Sequence, residues 1–390
     1  MKYRIAMVND PISDIVNGCV ISTMRFANIL RDRGYTIIFI AAKSRKNRQN
    51  NEYQGFKVYR SSSLLLPKSE GQFHISLPTI RKIKKILKEE RIDIVHLFDP
   101  TPAAYASLKA GRALGKKIVI HSHTQPENIF LHFPKIIAYG SINKVFYHYL
   151  NWLYKKADAI IYPTEFAQKL FSSLNKKVFH QVVSNGINCA HFQKQETKTF
   201  FTKYHLDANK KNILFVGRWH PEKDIPTIIH AFTYILKKRQ DINLWLVGFG
   251  HLEKKLRKLV KKLNLEDYII FVGRVSNLEL IQAYHACDVF TLPSLAELEG
   301  MVVLEAMACG KPIIIADSPN SASPYLVKNN GLLFKAGDPE DFAKQALLIL
   351  NDAKLCKKMG EASLRLSQQY DVAKSVDQIE NIYQTVMASS

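Results

Sequence analysis

PSLAELEGMVVLEAMACGKPIIIAD, residues 293–317, carries two glutamates eight positions apart, Glu297 and Glu305. The apolar run Val289 to Leu292 reads as a strand that ends at Pro293-Ser294. A loop bearing Glu297 follows. Gly300 then opens an apolar helix that closes at Gly310, with Pro312 just beyond as a usual stop signal. Glu305 is the odd member of the run Met301 to Ala308. An ionised carboxylate in such company is costly unless something hydrogen-bonds it. A sugar or ribose diol meets that need, and the backbone N–H groups of Gly300, Met301 and Val302 suit a phosphate.

A second signal lies upstream. Ile213 to Val216 reads as a buried strand followed by Gly217-Arg218-Trp219-His220-Pro221-Glu222-Lys223. Arg218 and Lys223 therefore sit in a loop at the carboxyl end of a strand, where open α/β sheets bind ligands. An arginine fork beside a lysine point charge suits a diphosphate.

Strand-like runs alternate with helical patterns throughout: Ile5–Val8, Ile37–Ala41, Ile92–Leu97, Lys117–His121, Ala159–Tyr162, then Ile213–Val216, Leu244–Val247, Ile269–Val272, Val289–Leu292 and Pro312–Ala316. This alternation predicts an α/β protein with parallel sheets covered on both faces. The pattern breaks near Asn185 to Gln195. Two Rossmann-like domains are expected, residues 1–190 and 191–370, with a terminal helix over 371–390 crossing back to the first.

The chain has 390 residues, 47% hydrophobic and 23% charged, as in soluble two-domain proteins. No apolar run approaches the ~18 residues of a membrane span. The first strand is too short for a signal-peptide core, and the five cysteines lack metal or redox spacing, so a cytoplasmic home is expected. The net charge of +21 is uneven. Residues 1–190 carry 29 Lys and Arg against 12 Asp and Glu, and the remainder 26 against 22. The excess thus lies away from the phosphate-type motifs and points to an anionic surface, either lipid headgroups or nucleic acid.

Three segments of the first half stand out. Ile80 to Lys88 is an amphipathic basic helix with Arg81, Lys82, Lys84, Lys85 and Lys88 off its apolar stripe. Ile129 to Tyr139, with Phe130 and Phe133, is too apolar for a solvated loop. The helix after it places Val145, Tyr149, Leu150 and Leu153 inward and leaves Tyr147 and Tyr154 without a core role. Its aromatic residues, Trp152 among them, lie beside lysines, as at a membrane interface. Finally, the strand Lys117–Ile120 runs into His121-Ser122-His123, whose histidines share a side if extended. Such a pair could suggest a metal, but no further ligands cluster nearby.

The G-R-x-x-x-x-K element, the E-x7-E element and Val247-Gly248-Phe249-Gly250 between them resemble family 4 retaining glycosyltransferases of the GT-B fold. Asn185-Gly186-Ile187-Asn188 resembles that family's interdomain join. The resemblance implies two Rossmann-like domains facing across a cleft and a nucleotide-sugar donor, with UDP favoured. It implies no cofactor and no catalytic metal. Arg218 and Lys223 would hold the diphosphate, Glu305 the ribose and Glu297 the donor sugar. Gly18 would allow close backbone approach, and His123 would orient the sugar. Where the family usually has a second glycine this chain has Cys19. No side chain stands out as a covalent nucleophile, so the acceptor hydroxyl would attack on the face the diphosphate leaves, its proton passing to the phosphate. Glu297-Leu298-Glu299-Gly300 and His123-Thr124 look closest to diacylglycerol glucosyltransferases. That favours a membrane-lipid acceptor over a polysaccharide or polyprenyl-linked one, with the protein peripheral on the inner membrane face. Nucleic acid is disfavoured because no recognition module accompanies the charge. The oligomeric state is left open.

Overall fold

The computed structural model describes residues 2–12, 18–44, 50–65, 74–124, 139–172 and 177–389, with backbone alone at 139–143 and 172. The chain forms two compact units, Met1–Asn185 with Val372–Ser390, and Gly186–Asp371.

The first unit is built on an eight-stranded sheet. In spatial order its strands are Phe179–Val182, Ala159–Tyr162, Lys117–His121, Ile94–Leu97, Arg4–Val8, Thr36–Ala42, Phe56–Ser61 and Glu52–Tyr53. All neighbours are parallel except the last pair. The central strands are Val- and Ile-rich and buried along their length, as sheets covered on both faces require. Strand order reverses beside Arg4–Val8, so the carboxyl ends of Arg4–Val8 and Ile94–Leu97 flank a topological switch point.

The second unit has six parallel strands in the order Ile269–Gly273, Ile242–Val247, Lys211–Val216, Val289–Leu292, Ile313–Asp317 and Gly331–Lys335. Counted along this unit the order is third, second, first, fourth, fifth, sixth, the doubly wound arrangement. Its switch point lies between Lys211–Val216 and Val289–Leu292. Those are the two strands that lead into the Arg218 and Glu297 loops.

Among the described residues, three strands of four residues or more escape the sequence pattern: Phe56–Ser61, Phe179–Val182 and Gly331–Lys335. Phe179–Val182 and Gly331–Lys335 are sheet edges, and Phe56–Ser61 is followed only by the two-residue strand Glu52–Tyr53. Each is partly exposed, so none shows the unbroken apolar run of an interior strand.

The helix Val372–Ala388 belongs to the first unit. Val376, Ile379 and Tyr383 enter its core, and the Tyr383 hydroxyl lies 2.7 Å from His96 Nδ1. Arg33 pairs with Asp377 at 2.7 Å and also with Glu380, which in turn binds Lys2 at 2.9 Å. Ile379→Ala empties a fully buried site and is expected to cost ~2–5 kcal/mol. Hydrogen exchange should then speed up in the eight-stranded sheet and stay unchanged in the six-stranded one; equal acceleration in both would contradict independent units.

Candidate active site

In the second unit a close approach of two loops positions the first motif. A side chain at Gly248, which has φ of 128°, would meet the Gly217 carbonyl oxygen at 1.9 Å. With only hydrogen there, Gly217 N–H donates to Val247 O at 3.1 Å and Trp219 N–H to Phe249 O at 2.8 Å. The Arg218 loop is thereby tied to the next strand's loop. Pro221–Lys223 forms a single tight turn, and Asp224, with φ of 42°, starts the helix Ile225–Ile235.

Arg218 Nη2 lies 3.3 Å from Glu222 Oε1. The Glu222 side chain is 1% exposed and that of Arg218 is 34% exposed, so the buried carboxylate holds a guanidinium whose face stays open. Glu222 also accepts Leu295 N–H at its backbone oxygen, 2.8 Å, which links this turn to the Glu297 loop. Lys223 Nζ makes a direct ion pair with Glu297, both side chains nearly buried. Glu297 sits in the two-residue strand Ala296–Glu297 paired with Asn320–Ser321, and its carbonyl takes Ala322 N–H at 2.8 Å.

Gly300 caps the helix Met301–Ala308 with φ of 84° and no side-chain cap. A Cβ there would lie 2.3 Å from Ser323 Oγ, so both conformation and space demand glycine. One turn in, Glu305 is 5% exposed, and its Oε2 accepts a hydrogen bond from the Tyr284 hydroxyl at 3.0 Å. Burial, then the Glu305 charge, pushes the Tyr284 phenol well above its ordinary range, which keeps the donor proton in place. The hydrogen bond demanded by the sequence is thus supplied in part from within the protein.

The structure brings Arg218, Lys223, Glu297, Gly300, Met301, Val302 and Glu305 into one unit, on elements that leave adjacent strands at the switch point. Glu222 and Tyr284 were not foreseen. Glu222 had a signal, its i+4 spacing from Arg218; Tyr284 lies on another helix and had none.

The first unit holds the rest. Gly18 opens the helix Gly18–Asp32. His121 is buried and stacks on the half-buried His123 at 4.3 Å between centroids, with Phe98 5.5 and 5.6 Å from the two rings. Burial pushes His123 down to about 3 and His121 well below its usual range, so both rings are neutral at ordinary pH. Among the described residues, no group of three or more His, Cys, Asp and Glu could hold a metal ion.

Two expectations for the helix Tyr139–Tyr154 are corrected. Val145 is 71% exposed rather than inward, and Tyr154 is buried, donating to Ser122 Oγ at 2.9 Å. Tyr147 packs on Phe171 at 6.1 Å, and Trp152 stacks on Tyr105 at 5.3 Å with Lys109 and Lys156 over its ring. Phe130 and Phe133 lie outside the described residues.

Residues 196–365 match the family model for Glycosyl transferases group 1, and residues 16–191 that for Glycosyltransferase Family 4. The chain belongs to the family 4 glycosyltransferases. Alpha-monoglucosyldiacylglycerol synthase of Streptococcus pneumoniae is 25% identical over 81% of this chain and 71% of its own length. N-acetyl-alpha-D-glucosaminyl L-malate synthase of Bacillus anthracis is 26% identical over 99% of this chain and 98% of its own. The solved sucrose-phosphate synthase of Thermosynechococcus elongatus superposes over 100% of both chains with a TM-score of 0.82 at 19% identity. Anabaena HepE in complex with UDP does so over 99% of this chain and 100% of its own, with a TM-score of 0.79 at 20% identity. The fold is that of the GT-B glycosyltransferases.

In this glycosyltransferase the Tyr284–Glu305 contact can be tested directly. Tyr284→Phe leaves a buried carboxylate short of a donor and is expected to cost ~1–3 kcal/mol by denaturant unfolding. Placed on Glu305→Gln the same change should cost clearly less. Equal costs in the two backgrounds would show that the hydroxyl does not hold the carboxylate.

Proposed function

We propose that this glycosyltransferase is retaining and metal-independent. In this reading it moves a hexose from a nucleotide sugar, with UDP favoured, to a membrane-lipid hydroxyl such as that of diacylglycerol. The observation that carries the donor half is the meeting of the Arg218–Lys223 turn and the Glu297 loop at the carboxyl ends of adjacent strands where strand order reverses. Arg218 and Lys223 bind the diphosphate and stabilise its charge as it departs. Glu305 takes the ribose hydroxyls, Glu297 the donor sugar, and the free N–H groups at Gly300, Met301 and Val302 a phosphate. The family resemblance gives His123, neutral and stacked, the role of orienting the sugar, and Gly18 that of allowing close backbone approach. Positioning and leaving-group electrostatics do the chemistry. The HepE structure with UDP and the similarity to the streptococcal alpha-monoglucosyldiacylglycerol synthase support the donor and the lipid acceptor respectively.

The lipid half rests on the surface of the first unit. The helix Ile80–Glu89 buries Ile83, Ile86 and Leu87 and leaves Arg81, Lys82, Lys85 and Lys88 exposed, with Lys84 half-buried. The apolar face is therefore spent on packing, and only the cations can meet headgroups. Close by in sequence, Leu64 and Leu65 of the Ser63–Leu65 strand are 64% and 50% exposed, and Leu77 is 49% exposed. No described helix is long and apolar enough to cross a membrane. The contact proposed here is peripheral, at the cytoplasmic face.

Arg218→Ala or Lys223→Ala should cost ~3 kcal/mol of transition-state stabilisation, roughly 10²-fold in turnover. Glu305→Ala should weaken nucleotide binding, and His123→Ala should lower turnover with nucleotide affinity kept. Calorimetry with UDP and assays with a panel of nucleotide sugars and membrane lipid check these; wild-type behaviour of the Arg218, Lys223 and Glu305 variants sinks the donor-site reading. Activity lost in EDTA and restored by a divalent ion would sink metal independence.

Each basic residue near an anionic surface contributes ~1 kcal/mol, screened by salt. Replacing Arg81, Lys82 and Lys85 by glutamine should release the protein from phosphatidylglycerol vesicles in a salt-series co-sedimentation. Donor hydrolysis in detergent should stay unchanged. Equal binding by both proteins, or equal binding to neutral vesicles, would remove the electrostatic argument.

A further inference from the structure

Arg218 and Lys223 each meet a carboxylate, and the two carboxylates differ in what can reach them. The Glu297 side chain is 14% exposed and that of its partner Lys223 is 13% exposed, so Glu297 keeps an edge toward solvent. The Glu222 side chain is 1% exposed, while that of its partner Arg218 is 34% exposed. A ligand arriving at this surface can touch Arg218 but not the carboxylate behind it. Whatever Glu222 does for such a ligand, it does through the guanidinium.

The backbone fixes where that carboxylate stands. Pro221 starts a tight turn in which Lys223 N–H donates to His220 O at 3.0 Å and Asp224 N–H to Pro221 O at 3.2 Å. The Glu222 backbone oxygen accepts Leu295 N–H at 2.8 Å, and Leu295 O in turn accepts Ser318 Oγ–H at 2.5 Å. From this turn the side chain reaches four residues back to Arg218. His220 Nδ1 lies 3.8 Å from the same Glu222 oxygen, beyond hydrogen-bond reach. A carboxylate so enclosed is costly unless a cation compensates it, and Arg218 is charged at every ordinary pH. The need is mutual. An arginine on an open loop samples many rotamers, and a buried anion at its base selects one of them. Its rigid fork carries five N–H donors, so a guanidinium held through Nη2 still presents others outward.

We propose that Glu222 is a positioning residue for the donor diphosphate, holding the Arg218 fork in its binding orientation without itself touching the ligand. This rests on the donor-site reading above and lies wholly within the second unit. The sign of the effect separates positioning from charge. Glu222 is an anion one guanidinium away from the proposed diphosphate, so by Coulomb repulsion alone its removal should tighten binding. As a holder of Arg218, its removal should weaken binding, because ordering the loosened side chain then offsets part of the binding energy. The pair meets the diphosphate with its positive end foremost, so the repulsion is the smaller of the two effects. The weakening is confined to ligands that carry the diphosphate, since the nucleoside has no contact with Arg218 in this reading.

The test is calorimetry on the full chain with UDP, GDP and ADP and with the matching nucleosides, using the diphosphate that the wild type binds most tightly. Glu222→Gln keeps the side chain's size and the backbone bond to Leu295. It should weaken the diphosphate by roughly 10-fold and leave the nucleoside unchanged. On an Arg218→Ala background the same change should make no further difference to diphosphate affinity. Unchanged or tighter diphosphate binding by Glu222→Gln would overturn the proposal. So would an equal loss for the nucleoside, or an equal loss on both backgrounds, since these are the marks of a merely structural role. Should Glu222→Gln not melt as the wild type does, Arg218→Ala decides. With Glu222 intact, guanidinium chloride well below denaturing concentration should restore part of its diphosphate affinity where sodium chloride of equal strength does not. No such restoration overturns the proposal. Each of these outcomes leaves the donor-site reading standing; a wild type that binds no nucleoside diphosphate refutes that reading and the proposal with it.

Discussion

The ion pair between Lys223 and Glu297 joins the two loops on which the second unit's site depends. Each side chain is nearly buried, and either charge alone would carry an uncompensated desolvation cost of several kcal/mol. The two loops therefore hold each other in place, and Glu222 reinforces the link by binding Arg218 with its carboxylate and Leu295 with its carbonyl. On the proposed reading a diphosphate offers Lys223 a stronger anion, which would release Glu297 toward a sugar hydroxyl. A buried pair that a substrate can divide is preorganised at both ends.

The interior of the fold was legible because parallel strands covered on both faces leave unbroken apolar runs, such as Ile160-Ile161 or Ile313-Ile314-Ile315. Phe179–Val182 and Gly331–Lys335 were not legible because an edge strand buries only part of its surface. The site divided in the same way. Arg218, Lys223, Glu297 and Glu305 announce themselves by being charged beside apolar runs. Tyr284 looks like any core aromatic until packing brings its hydroxyl to Glu305. The phase of the helix Tyr139–Tyr154 failed for a third reason: apolar or aromatic residues at 145–147, 149, 150 and 152–154 surround it, so no single stripe fixes which face turns inward.

Where the basic excess lies also limits what it can do. Ile83, Ile86 and Leu87 are committed to the first unit's interior, so the helix Ile80–Glu89 cannot lie with its apolar face in a bilayer. Attraction through its cations at ~1 kcal/mol each is reversible and salt-sensitive. Exposed Leu64 and Leu65 could add apolar contact of ~1.5–3 kcal/mol for each side chain fully buried. On the proposed lipid reading, peripheral binding of that strength would let the enzyme leave one lipid to reach the next.

The two switch points divide the chemistry. That of the second unit gathers Arg218 and Lys223 with carboxylates that orient them, a set suited to phosphate. That of the first unit, in the more basic half of the chain, gathers the Asp10 and Asp99 carboxyls, the Cys19 thiol and the neutral imidazoles of His121 and His123. The first unit's positive charge therefore lies on its outer surface, on the helix Ile80–Glu89 among other places, and not at its switch point. Burial raises both carboxyls and lowers both imidazoles, so these groups lean toward their neutral forms. The same doubly wound architecture thus surrounds one switch point with paired charges and the other with buried, nearly neutral groups.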